Sequence, residues 1–222
     1  MKKLAFIAAV LTTFVANSFA APSKFFTSGI SFTEGLEIAR GDNSPKFDEG
    51  GYRMTTALSY NAMIGIIPSL YIHPAIGFNL RWYSESDDNN NNSNNSGFSF
   101  SASSNDDSGI IALDLAVPVT ARYYISNIFF AELGLEFDFN LLEKSYDKDN
   151  SRDTDARTLN VGINGGLGFT FPFGLEIGLS YVHGLTNLYE EKSVSIGNLT
   201  IKNKSYSYSR INFNIAYWFG YR

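Results

Sequence analysis

One pattern limits what this chain can become: bulky apolar and small polar residues alternate in eight separate segments between Gly29 and Phe219. A repeat of two belongs to the strand, whose successive side chains point to opposite faces. In the first segment Ile30, Phe32, Leu36 and Ile38 stand against Gly29, Ser31, Thr33, Gly35 and Glu37, and Glu34 interrupts the apolar side. The others run over residues 52–64, 70–82, 111–123, 129–141, 158–171, 175–184 and 210–219. Each has roughly 10–14 residues, the length a tilted strand needs to cross a bilayer. The expected fold is all-β: an eight-stranded antiparallel transmembrane β-barrel, an up-and-down meander.

The connections alternate too. Gly65–Ser69, Ile125–Ile128 and Pro172–Gly174 are short, whereas Arg40–Gly51, Ser84–Ser108, Glu143–Ala156 and Thr186–Ser205 are long and polar. Short turns at one end and long loops at the other are the asymmetry of an outer-membrane barrel. The short turns and both termini are therefore assigned to the periplasmic side.

Alternation alone also fits a soluble β-sandwich, which buries one face of each sheet. Two details favour lipid. The polar face carries Gly, Ala, Ser, Thr and Asn, and the mature chain's lysines (24, 46, 144, 148, 192, 202, 204) fall outside the strand cores so drawn. The apolar face is too bulky for the interior of an eight-stranded barrel, which holds little beyond its own inward side chains. Within hydrocarbon an unpaired backbone group costs several kcal/mol, so the last strand must pair with the first.

Residues 1–20 read as a cleaved signal peptide: Lys2-Lys3, an apolar run from Leu4 to Val15, then Ser18-Phe19-Ala20. Residues 21–222 then form one barrel domain. With no cysteine, neither disulfides nor thiolate sites hold this exported chain. A net charge of −5 and a pI near 5.0 argue against nucleic acid as a partner.

The polar face also carries charges: Arg53, Arg81, Arg122 and Arg210 with Asp114, Glu132, Glu136, Asp138 and Glu176. Arginine binds carboxylates through a planar two-pronged fork, so these residues are expected to form a paired network that plugs a narrow lumen. Ion conduction is the alternative use of the same charges. At the C-terminus Phe213, Ile215, Tyr217, Phe219 and Tyr221 form an outward aromatic-ended alternation resembling the signal read by barrel assembly machinery, with Arg222 as an extra residue. Tyr123, Tyr124, Phe129, Phe130, Phe171, Phe173, Trp218, Phe219 and Tyr221 are expected to form the girdle at the short-turn end, with Trp82 and Tyr83 at the other.

Little in the sequence speaks for chemistry. The two histidines, His73 and His183, are followed by Pro74-Ala75 and Gly184-Leu185, and neither begins the His-x-Ser pair of lipid A deacylases. No phosphate loop, zinc spacing or paired-carboxylate motif occurs, so no catalytic, cofactor or metal residues are assigned. The acidic clusters Asp87-Asp88, Asp106-Asp107 and Asp147–Asp155 read as solvated loop charge. The glycines of 162–168 read as an inward stripe that relieves crowding.

The stretches Leu113–Tyr124 (LDLAVPVTARYY) and Tyr181–Tyr189 (YVHGLTNLY) resemble the outer membrane protein β-barrel domain group of Gram-negative bacteria, which includes PorT-like proteins. The whole mature chain is similar to small barrels of the OmpA and OmpX type. That resemblance implies an outer-membrane location, with lipids and lipopolysaccharide as surroundings. It also implies a non-enzymatic structural or surface-interaction role carried by extracellular loops, the surface ligand being unassigned. A narrow channel, or a PorT-like part of a secretion assembly, is the alternative, and a lipid-modifying enzyme a further one.

Overall fold

The computed structural model describes residues 25–41, 52–85, 108–147, 150–153, 156–188, 193–196, 199–202 and 206–221. The signal peptide, most of the first two long loops, the clusters at Asp87 and Asp106, and Arg222 lie outside the described residues. So does the side chain of Tyr83.

Among the described residues eleven strands form: β1 (Phe26–Arg40), β2 (Tyr52–Ile67), β3 (Leu70–Glu85), β4 (Ser108–Tyr124), β5 (Phe129–Asp147), β6 (Asn150–Asp153), β7 (Leu159–Thr170), β8 (Leu175–Gly184), β9 (Ser193–Ile196), β10 (Leu199–Lys202) and β11 (Ser207–Phe219). Eight of them, all but β6, β9 and β10, close an antiparallel meander in which each strand pairs with its neighbours in this order. β11 meets β1 from Ser28↔Phe219 to Arg40↔Ser207, and β4 meets β5, so the ring has no open edge. The three short strands arise within stretches read as loops: β6 folds back on the end of β5, and β9 pairs with β10.

Short turns set the lower rim. Ser69 takes a φ of 71° between β2 and β3, a left-handed geometry that closes a two-residue turn. Ser126 Oγ accepts from Phe129 N at 3.1 Å between β4 and β5. Gly174, at φ 91°, ends the turn from β7 to β8, and a Cβ there would lie 2.6 Å from the Trp218 carbonyl oxygen.

The wall is greasy outside and polar inside. Leu58 and Leu133 are each 63% exposed, whereas Arg122 and Asp114, inside, are each 1% exposed. Ranges such as β8, which alternates half-buried or exposed with buried at every step, show the period-two pattern directly. The interruption at Glu34 is met across the β1–β2 pair by Thr56, whose hydroxyl donates to both carboxylate oxygens at 3.0 Å. A polar break on one strand thus sits beside a polar break on the next, within an otherwise apolar surface.

Two departures from strict alternation matter for the interior. The β4–β5 register shifts at Leu113/Asp114, so Leu141 and Leu142 both face outward and Glu143 turns in. β5 also runs on past Leu141, so Lys144 lies on a strand and not in a loop; it pairs with the outward Ile111 and shares its face. At the other end Gly220 adopts φ 61° and breaks the repeat after Phe219. Tyr221 is consequently buried in the lumen, not continued along the outward row of Phe213, Ile215, Tyr217 and Phe219.

Candidate functional site in the barrel lumen

Consecutive aromatics explain how the lower end is closed. Period two sends one member of each pair out and the other in: Tyr123 is exposed and Tyr124 buried, and Phe219 is exposed and Trp218 buried. Phe130 is buried as well, while Phe129 stacks obliquely on Phe169 at 5.1 Å. Four residues expected in the girdle, Tyr124, Phe130, Trp218 and Tyr221, instead join Met63 and Tyr71 in an internal plug. Tyr71 meets Tyr124 edge to face at 5.6 Å, and the Tyr124 hydroxyl reaches Thr170 Oγ1 at 3.2 Å. Glycines make room for the rings: a Cβ on Gly168 would lie 2.7 Å from Phe130 Cζ, and one on Gly184 2.7 Å from the Tyr208 ring.

Directly above the plug sits Arg122. Its Nε donates to Glu132 Oε2 at 2.9 Å, and NH1 donates to Glu176 Oε2 at 2.7 Å. Its guanidinium lies 3.9 Å from the Phe130 ring centroid, an added cation–π attraction in a desolvated place. Glu176 Oε2 also accepts from Trp218 Nε1 at 2.7 Å and Thr170 Oγ1 at 2.9 Å. His73 Nδ1 lies 2.9 Å from Glu132 Oε2. Four strands, β3, β4, β5 and β8, supply these groups: Glu132 faces Arg122 directly across the β4–β5 pair, whereas Glu176 reaches it from β8 across the lumen.

A second network lies toward the loop end. Arg81 Nε lies 2.6 Å from Asp114 Oδ2, with Glu37 and Glu143 each 3.4 Å away. Arg53 approaches the same Glu37 and Glu143 at 4.0 and 3.8 Å. Arg210 pairs with Glu136 and lies 3.6 Å from Asp138, whose Oδ2 also accepts from Tyr208 at 3.0 Å. All nine charges expected on the polar face therefore point inward, in two groups: Arg122, Glu132 and Glu176 below; Arg53, Arg81, Arg210, Asp114, Glu136 and Asp138 above. Glu37, Glu143 and His73 were outside that expected set and complete it. Glu37 stands on the face the alternation made polar, while Glu143 is carried there by the bulge.

Between the two networks is a cavity of ≈ 100 Å³ walled by small neutral residues such as Ser31, Ser59, Ala75 and Ala116. It has room for water rather than for a metabolite. His73 Nε2, Asn164 Oδ1 and Asn212 Oδ1 line it, buried, with no hydrogen-bond partner among the described residues, as groups that water can satisfy do. Among the described residues, no cluster of three or more His, Asp or Glu is arranged to hold a metal ion. On the outside, Ser209 faces His183 in register, but its Oγ accepts from Tyr181 at 3.0 Å; among the described residues no serine hydroxyl is hydrogen-bonded to an imidazole. The arrangement pairs charges and fills an interior; Thr120 Oγ1, 3.4 Å from His73 Nδ1, lies within it and also donates to Glu132 at 3.2 Å.

The chain was compared with known proteins. No curated protein matches it. Solved structures similar to it include Ail, the attachment invasion locus protein of Yersinia pestis, in complex with the heparin analogue sucrose octasulfate: 14% identical, covering 88% of this chain and 100% of that one, TM-score 0.47. Neisserial surface protein A is 10% identical, with 87% and 97% covered and a TM-score of 0.43. A de novo designed transmembrane β-barrel is 13% identical, with 90% and 100% covered and a TM-score of 0.42. Residues 23–190 match the family model described as outer membrane protein beta-barrel domain. With most of its length matched and its eight long strands closed into an antiparallel ring, this chain belongs to the outer membrane protein β-barrel domain family.

Proposed function

We propose that this barrel is a non-enzymatic surface protein: a rigid, internally plugged scaffold in the outer membrane whose long loops face outward and carry recognition. The family points to the outer membrane, and the outward Leu, Ile and Phe side chains suit a hydrocarbon surround. The observation that carries the reading is the lumen, filled from an aromatic plug through two arginine–carboxylate networks. A filled interior leaves the loops as the variable part, and loops on a stiff scaffold are where recognition resides. Phe213, Ile215, Tyr217 and Phe219 would be the face read by assembly machinery, with Tyr221 serving inside instead.

Planar-bilayer recording of the purified barrel, beside binding of whole cells to host-surface or matrix components with and without the protein, tests this reading. The expected result is no stable conductance step and a loop-dependent change in binding. Steady porin-like conductance would overturn it.

The second reading is a narrow cation path, favoured by one observation: seven lumen carboxylates face only four arginines. The same recording, made with unequal salt on the two sides, would reveal it as a cation-selective reversal potential. Membership of a secretion assembly, the PorT-like alternative, would appear as specific partners after crosslinking in intact cells.

A further inference from the structure

Of the five arginines on the eight long strands, four point inward, and each of these has a carboxylate within 4.0 Å. Arg40 is the fifth. It pairs with Ser207 on the outward face, at the loop end of the seam, and among the described residues no carboxylate lies within that distance of it. Its guanidinium is nevertheless held firmly. NH2 donates to the Gly184 carbonyl at 2.6 Å and to Ser207 Oγ at 3.0 Å; Nε donates to the same Oγ at 3.2 Å; NH1 abuts the His183 ring, 2.5 Å from Nδ1. Ser209 stands opposite His183, and Tyr181 donates to Ser209.

We propose that this outward cluster of Arg40, His183, Ser207 and Ser209 binds the phosphate of a membrane-lipid headgroup. The site rests on the outer-membrane reading above and names a partner for the wall instead of the loops. Three properties select the ligand. Among the described residues no carboxylate neutralises this fixed cation, which suits it to a counter-charge from outside, and the NH1 group, which abuts the His183 ring, has an N–H to spare for a phosphate oxygen. The hydroxyls of Ser207 and Ser209 add short-range hydrogen bonding. Immediately below lie Ile38, Ile211 and the Tyr181 ring, and Leu185 flanks the cluster 56% exposed, so the ligand must bring hydrocarbon with its charge. A headgroup at the edge of an apolar band meets all three conditions, and the aromatic ring of Tyr181 is of the kind that settles at that depth.

The test uses the full mature barrel folded in non-ionic detergent, with native mass spectrometry reading the lipid retained from added bis-phosphorylated lipid A, dephosphorylated lipid A or phosphatidylglycerol. Lys144 offers an internal control, because β5 lies on the opposite side of the ring and its lysine is also outward. The expected result is retention of the phosphorylated lipid by the natural chain. Arg40→Gln should lower it about tenfold, Arg40→Lys should lower it less, and Lys144→Gln should leave it unchanged. Arg40-dependent retention of phosphatidylglycerol alone would support the site and assign a glycerophospholipid as its source. Equal retention of dephosphorylated lipid A, or equal loss in Lys144→Gln, would overturn it. Should Arg40→Gln fail to fold, as judged by gel migration before and after boiling, Ser207→Ala with His183→Gln asks the same question. A natural chain that stays dispersed without detergent would overturn the membrane reading itself. A detergent-folded barrel that retains no lipid removes only the headgroup site.

Discussion

The lower and upper charge networks use the same residue types in opposite ways. Below, one arginine serves two carboxylates at 2.7–2.9 Å inside an aromatic enclosure, and among the described residues no second arginine reaches either of them. Above, three arginines share five carboxylates, and most separations are 3.4–4.0 Å. The lower group is a seal with one point of failure; the upper one is a shared arrangement bordered by a cavity with room for water. Buried pairs cost desolvation, so what matters is the penalty for stranding a partner. That penalty should be large where no second arginine stands nearby and smaller where one does.

The strongest way to break this contrast is Arg122→Leu, which strands Glu132 and Glu176. It should cost about 3–5 kcal/mol, against about 2 kcal/mol for Arg81→Leu, after which Glu37 and Glu143 keep Arg53 close and Asp114 keeps the Asn140 amide. Guanidinium unfolding in lipid vesicles measures both, and equal losses would remove the distinction. Next, Trp218→Ala should cost about 3–4 kcal/mol, since it empties the plug and takes a donor from Glu176. If the plug is the barrier, the same variant should also raise ion leakage through planar bilayers above that of the natural chain. Gly168→Ala should destabilise by about 1–3 kcal/mol, because its methyl meets the Phe130 ring and the Ile177 carbonyl. The equivalent change at Gly165, whose Cβ would meet nothing closer than 3.5 Å, should be nearly silent. The smallest effect lies outside both networks: Glu34→Leu should stabilise the folded barrel by about 1–2 kcal/mol in vesicles, since it removes a carboxylate from the lipid-facing band. A loss of stability there would assign Glu34 a structural partner beyond Thr56.

The barrel itself was legible because its determinant is local: period two fixes which side chain faces which way, and loop lengths fix the meander. Inward placement of Arg53, Arg81, Arg122 and Arg210 followed from the same parity. Partner choice did not, since Arg122 reaches Glu176 across the lumen through the stagger of closed strands, which no segment encodes alone. Parity also failed where the backbone left it. The β4–β5 shift reversed Glu143, and the left-handed Gly220 reversed Tyr221. The doublets Tyr123-Tyr124, Phe129-Phe130 and Trp218-Phe219 looked like girdle because composition counts rings without asking which way each one points. β6, β9 and β10 are four residues each, too short for a periodic signal to rise above polar loop.

The seam between β1 and β11 governs the order of assembly. Thr27 hydrogen-bonds the Phe219 carbonyl across 192 positions of sequence, so the ring locks only after nearly every other strand has been laid down. Until then the first strand keeps a row of amides with no mate, in a solvent that offers them none. Contacts so distant in sequence are slow to form. The rate of completing this barrel should therefore depend on whatever shelters β1 while β11 is still on its way, more than on any single hairpin within it.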